Sequence, residues 1–381
     1  AADEIGQHRR LMQALEAEGR LDRGVEYLPD EATLTERERR GEGLTRPELA
    51  VLLAYAKLSL HDALLASDVP DQPALASELL RYFPREMNAR FPDAIAAHRL
   101  RREIVATQLA NAIVNRGGPA VVTRLVDQTG ATAPAVARAY AVTRDSFGLL
   151  DLNGAIDALD GQIDGKVQLD LYARVQALTF DRLVWFLRRL PGADIESAIA
   201  RYRAGIAEVA QVLSSQLPPA ARAHIARDEA ALAAAGVPTE LARRMAQLPS
   251  LAPATDIVLV AETTGTPISG VASTYFAVDA TFRIGALAQA GRDLVVREHY
   301  DGLALDRALD RIGAAHRALT REVVAMGGEG AQGVSEWTAQ RAGDVARLTA
   351  TIEQIAASGL TLSKLTVAAG LLSDLVGPGA A

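Results

Sequence analysis

Glycines at 328, 330 and 333 form a G-x-G-x-x-G spacing, with Glu353 about twenty residues further on. With a strand ahead of it, that spacing lets a backbone turn aim a helix N-terminus at a pyrophosphate. Here Leu305, Leu309, Ile312, Leu319, Val323 and Met326 recur at three-to-four spacing ahead of the glycines. The preceding stretch therefore reads as a helix, and 328–333 as a flexible inter-helix loop. The six histidines, at 8, 61, 98, 224, 299 and 316, show neither His-x3-His nor Glu-x-x-His spacing, so no metal centre is expected. The acidic stretch 151–164 lacks the ligand order of a calcium loop and reads as solvated turns. Cysteine is absent altogether, which removes disulfides, thiolate nucleophiles and cysteine-ligated metals.

Two polar features are left to consider. Lysine occurs only at 57, 166 and 364 among 40 basic residues. Lys57 follows the apolar run LLAYAK, which suits either a desolvated amine or a side chain that snorkels from a helix edge. The other feature lies on one helix, drawn from 92 to 116. At 100° per residue, Arg101, Gln108, Asn111 and Asn115 share one stripe, while Ile95, Val105, Leu109 and Ile113 occupy another face. Amides and a guanidinium on one face suit a partner's carboxylates and backbone, or else hold neighbouring helices together inside the domain.

The elements that must carry these residues are helices. Thr45-Arg46-Pro47-Glu48 is a capping box with proline in the first turn, followed by Leu49, Leu52, Leu53, Ala56, Leu60 and Leu64 at helical spacing. Asp71 with Pro73, Asp194, and Thr239 after Pro238 mark further helix entries, while Gly19, Gly41, Gly117 with Gly118, Gly130 and Gly236 mark stops. The stretch 256–261 (DIVLVA) suits a buried strand or a helix by pattern alone. A shift of 135 residues favours the helix, through a duplication or through shared helix-forming composition alone: Thr129-Gly130 falls on Thr264-Gly265, Val136-Ala137 on Val271-Ala272, Tyr140 on Tyr275 and Phe147 on Phe282. The first copy is helical by spacing, so the second is expected to be helical too. The reading is an all-α, multi-helix chain: a segment 1–115, then two copies of a helical unit at 116–249 and 250–381.

A net charge of −7 over 381 residues and 4% aromatics provide neither the basic footprint nor the stacking platforms of a nucleic-acid binder. No apolar run approaches the length of a membrane span. The N-terminal Ala-Ala-Asp-Glu resembles neither a signal peptide nor a natural start, so a piece of a longer polypeptide is expected.

Four strings narrow this further: GEGLTRPELAVLLAYAK at 41–57, YFP at 82–84, HRLRREIVATQLANAIVNRGG at 98–118 and ARAY at 137–140. On these the sequence resembles the C-terminal part of the large, long-chain bacterial NAD-dependent glutamate dehydrogenases. The resemblance implies that the substrate lysines, the catalytic aspartate and the Rossmann domain lie upstream, so no catalytic or cofactor-binding residue carries over. It implies a non-catalytic region of a cytoplasmic oxidoreductase, with NAD used by the parent enzyme. Its partners would be the catalytic domain of the same polypeptide and other subunits of a homo-oligomer. A second reading stays open, an independent helical module that binds a partner or small effector. In either case Arg101, Gln108, Asn111 and Asn115 are the candidate surface.

Overall fold

The computed structural model describes residues 4–296 and 298–376. Ala1, Ala2 and Asp3 of the N-terminal reading, and 377–381 at the end of the expected second unit, lie outside the described residues. Among those described, 79% are helical and no strand occurs, as the caps and periodicity require. The chain divides into two compact units, one of 1–154 with 172–201 and the other of 155–171 with 202–381.

The first unit contains α1 (Ile5–Ala17), α2 (Glu31–Arg40), α3 (Arg46–Leu65), α4 (Ala76–Tyr82), α5 (Arg85–Arg90), α6 (Pro92–Ala96), α7 (Arg101–Gly117), α8 (Val121–Thr129) and α9 (Ala133–Ser146). The unit borders then run through α10 (Leu149–Asp157), α11 (Gly165–Arg189) and α12 (Ile195–Gln216). The capping box starts α3: the backbone N–H of Thr45 donates to Glu48 Oε2 at 2.7 Å, and the same carboxylate accepts from Arg37 at 2.7 Å. Leu52, Ala56, Leu60 and Leu64 form the buried stripe of α3, and α3 and α4 both pack on α7. Burying each of these leucines is worth about 1.5–3 kcal/mol.

The second unit continues with α13 (Pro219–Ala234), α14 (Thr239–Leu251), α15 (Ala254–Thr264), α16 (Ile268–Phe282), α17 (Ile284–Arg292), α18 (His299–Ala325), α19 (Gly330–Gln340), α20 (Ala342–Ala357) and α21 (Leu362–Asp374). The ambiguous DIVLVA lies in α15 and is helical, as expected. The long α18 packs against α15, α16, α17, α19 and α21, around a core that includes Ile312, Leu319, Trp337, Leu365 and Leu372. The Trp337 indole meets the Phe282 ring edge-on at 6.3 Å. At Gly205 a Cβ would stand 2.4 Å from Val258 Cγ2, so only glycine lets that part of α12 approach α15 so closely.

Local signals behaved unevenly. Asp194 accepts from the Ser197 N–H at 2.8 Å, as a helix entry should. Gly19, Gly41, Gly118, Gly130 and Gly236 all stand at positive φ near helix ends. Thr239 is the first residue of α14 rather than its cap, and Asp71 closes a short 3-10 turn, Val69–Asp71. Helix spans recur at the shift of 135. The helix α10 maps onto α17 end for end, α9 and α16 agree within a residue, and Gly130 and Gly265 are both left-handed stops. Gly148 has φ +62°, and its counterpart Arg283, one of two non-glycine residues at positive φ among those described, has φ +54°.

Candidate functional site

The polar stripe sits on α7, but the single helix expected from 92 to 116 is two. The chain breaks after α6, where the N–H of Leu100 donates to His98 Nδ1 at 3.1 Å and the His98 ring lies 5.7 Å from that of Phe83. This side-chain acceptor replaces a helical carbonyl, and α7 starts afresh at Arg101. Ile95 is therefore on α6, whereas Val105, Leu109 and Ile113 are buried along α7 as expected.

Arg101 is exposed and reaches Asp71 Oδ1 at 3.4 Å, a long, solvated contact. Gln108 and Asn111 are half-buried and Asn115 is exposed. Among the described residues these three amides have no hydrogen-bond partner, so their donors and acceptors are available to solvent or to another surface. The internal tie is the neighbouring Arg102. It pairs with Asp71 and donates from Nη2 to the carbonyls of Leu65 at 2.9 Å and Ser67 at 3.0 Å, fastening the end of α3 to α7. Sequence reasoning passed over Arg102, although it lies 100° round the helix from Arg101, toward the apolar arc, where a guanidinium needs fixed acceptors.

Lys57 lies half-buried on α3, without an ion pair or hydrogen bond among the described residues. The glycines at 328–333 are not a flexible loop: Gly328 lies in the short link after α18, and Gly330 and Gly333 lie in the closely packed first turn of α19. A Cβ on Gly333 would stand 2.5 Å from the Gly328 carbonyl carbon, and one on Gly330 2.7 Å from Ser273 Oγ. The N–H of Gly330 donates to Thr274 Oγ1 at 2.9 Å, and the helix α18 precedes the glycines. The glycines thus let α19 pack on α16 and α18, and a donor that a pyrophosphate would need is already engaged.

Two buried ionic clusters escaped the sequence reading. In the first unit Arg144, 2% exposed at its side chain, pairs with Glu78 and grips Asp145 through Nε at 2.7 Å and Nη2 at 2.9 Å. Burial works against its charge, but the hydrogen bonds it donates to Asp145 and the field of Glu78 hold its pKa above the usual arginine value. In the second unit Arg317 donates to Asp256 Oδ1 at 2.9 Å, and the His316 ring stacks on Tyr275 at 3.7 Å while its Nε2 donates to the Tyr275 carbonyl at 3.0 Å. Burial lowers the His316 pKa despite nearby Asp279. Largely buried and already paired, both clusters hold helices together. A cleft of about 240 Å³ between α12, α13 and α14 has its Arg243 already facing Glu229 at 3.5 Å and Glu240 at 3.0 Å. No group of three or more histidines and carboxylates suited to a metal, and no helix long and apolar enough to cross a membrane, occurs among the described residues.

Residues 41–374 match the family described as "Glutamate dehydrogenase, C-terminal". Over 380 residues the chain is 36% identical to the NAD-specific glutamate dehydrogenase of Pseudomonas aeruginosa, covering 98% of this chain and 24% of that protein. It is 36% identical over 336 residues to that of Halomonas elongata, covering 87% and 21%. With that of Mycobacterium tuberculosis it shares 33% over 373 residues, covering 97% and 23%. The chain therefore spans less than a quarter of the length of these relatives.

Proposed function

Because the chain belongs to the glutamate dehydrogenase C-terminal family, we propose that it is the non-catalytic helical C-terminal region of an NAD-specific glutamate dehydrogenase. One observation carries this reading: nearly the whole chain aligns, yet it fills only 21–24% of the relatives. The parent reaction is oxidative deamination of L-glutamate to 2-oxoglutarate and ammonium, with hydride passed to NAD. Hydride transfer needs cofactor and substrate held together by a preorganised fold, and that fold belongs to the preceding region of the longer polypeptide. The helical region supports it through a rigid contact, with the open amides of Gln108, Asn111 and Asn115 and the guanidinium of Arg101 as its polar part. The parent is a cytoplasmic homo-oligomer in this reading. The segment 1–115 joins the catalytic region to two duplicated helical units, 116–249 and 250–381, a division that the recurring helix spans support.

Calorimetry and an activity assay test this on the isolated chain. No glutamate-dependent NAD reduction and no saturable NAD binding are expected. Saturable binding that Gly330→Val abolishes, in a variant that still folds, would overturn the reading.

A further inference from the structure

The helix α3 carries apolar residues on two opposite sides, and only one of them is buried. Opposite the buried stripe of Leu52, Ala56, Leu60 and Leu64, an outer stripe runs through Pro47, Val51, Ala54 and Leu58. Its spacing of i, i+4, i+7, i+11 is the seam along which a second helix packs. Pro47, Ala54 and Leu58 are exposed, Leu58 by 57%, and Val51 is half-buried. A helix with a second apolar stripe opposite its buried one has a second face for a partner to cover.

The loop between α1 and α2 extends this surface. Tyr55, on α3 between Ala54 and Leu58, donates its hydroxyl to Glu26 at 2.6 Å, which fixes the loop beside the seam. Arg20 to Asp62 at 2.7 Å is a second tie between loop and helix. Flanking Glu26, Val25 is 68% exposed and Tyr27 91%, the largest value among the exposed large hydrophobics. The loop is firmly built: Asp22 Oδ1 accepts from the N–H groups of Gly24 and Val25, and Arg23 is clamped by Glu16 and Glu31. Tyr27 is held at φ +53°, a left-handed conformation that costs a tyrosine energy while its ring gains no contact. A rigid exposed tyrosine beside an apolar seam has the composition of an interface anchor.

We infer that Tyr27, Val25 and the outer seam of α3 form the seat for a helix from the part of the longer polypeptide that precedes this chain, an inference that rests on the proposed function. The matched family is a C-terminal one and the chain aligns along nearly its whole length with less than a quarter of each relative, so most of their additional length precedes this chain. The uncovered surface is built from residues 25–27 and 47–58, within the first sixty residues and so on the part of this chain that follows that length. A segment linked in the same polypeptide acts at high effective concentration, which favours it over a partner from solution.

The chain has no cysteine, so Leu58→Cys adds a single reporter thiol to it, and the exposed Leu169→Cys serves as a control. Maleimide labelling, read at the modified peptide by mass spectrometry, is compared between this chain alone and the complete polypeptide. The expected result is labelling at 58 about tenfold or more slower in the complete polypeptide, because a covered site reacts only through local opening. Position 169 should react alike in both, and the protection at 58 should not change on dilution. Equal labelling at 58 overturns the inference, as does protection that also appears in this chain alone or is lost on dilution, which marks a second copy as the occupant. If deleting the whole chain from the polypeptide leaves turnover unchanged, the proposed function fails. If that deletion matters while position 58 stays reactive, only the docking inference fails.

Discussion

Arg101 and Arg144 show how much a side chain's surroundings decide. Arg144 is enclosed with Glu78 and Asp145, and removing one partner of a buried pair strands the other charge. Arg144→Ala should lower the free energy of unfolding by about 3–5 kcal/mol in urea titrations, and Arg101→Ala by less than about 1 kcal/mol. Equal losses would make the α7 stripe internal glue rather than an available surface. His316 supplies a pH signature. Burial holds its native pKa below the usual 6.5, and that of His8 likewise, so below 6.5 the unfolded chain binds more protons than the folded one. Stability is then complete above that value and declines as pH falls toward the native pKa. The urea midpoint should drop between about pH 7 and pH 5, and His316→Gln should flatten the drop. A midpoint that rises on acidification over this window would contradict the assignment.

At the scale of elements, glycines divide into those that permit contact and those that merely weaken a helix. Gly333→Ala would push a Cβ into the Gly328 backbone and should cost about 1–3 kcal/mol or more. Gly370, inside α21 with nothing within 4 Å of the place a Cβ would take, should instead gain about 0.5–1 kcal/mol as alanine. Arg283 stands left-handed, as Gly148 does 135 residues earlier, so Arg283→Gly should stabilise by about 1 kcal/mol. Thermal unfolding of the three variants checks all three signs. Helix existence, the capping box at Thr45 and the left-handed stops were legible because they are encoded within a few residues. The break at 97–100 was not, since it depends on His98 accepting from Leu100 within an otherwise periodic run. The close packing at 328–333 and the Arg144 and Arg317 clusters were equally hidden, because their partners lie far away in sequence. The α7 stripe was visible as a pattern, but which arginine fastens the helices depended on where the end of α3 comes to lie.

For the whole molecule, two units with cores of their own account for a stretch that aligns along nearly its full length with a minor part of much longer enzymes. The central claim is that this region supports a catalytic region without performing chemistry itself. The most direct measurement is glutamate-dependent NAD reduction by three samples: the complete polypeptide, the same polypeptide ended before residue 1, and that shortened form with this chain added back. Turnover should fall in the shortened form and recover on addition, while this chain alone shows none. Full turnover by the shortened form, indifferent to the added chain, would contradict the account, as would turnover by this chain alone.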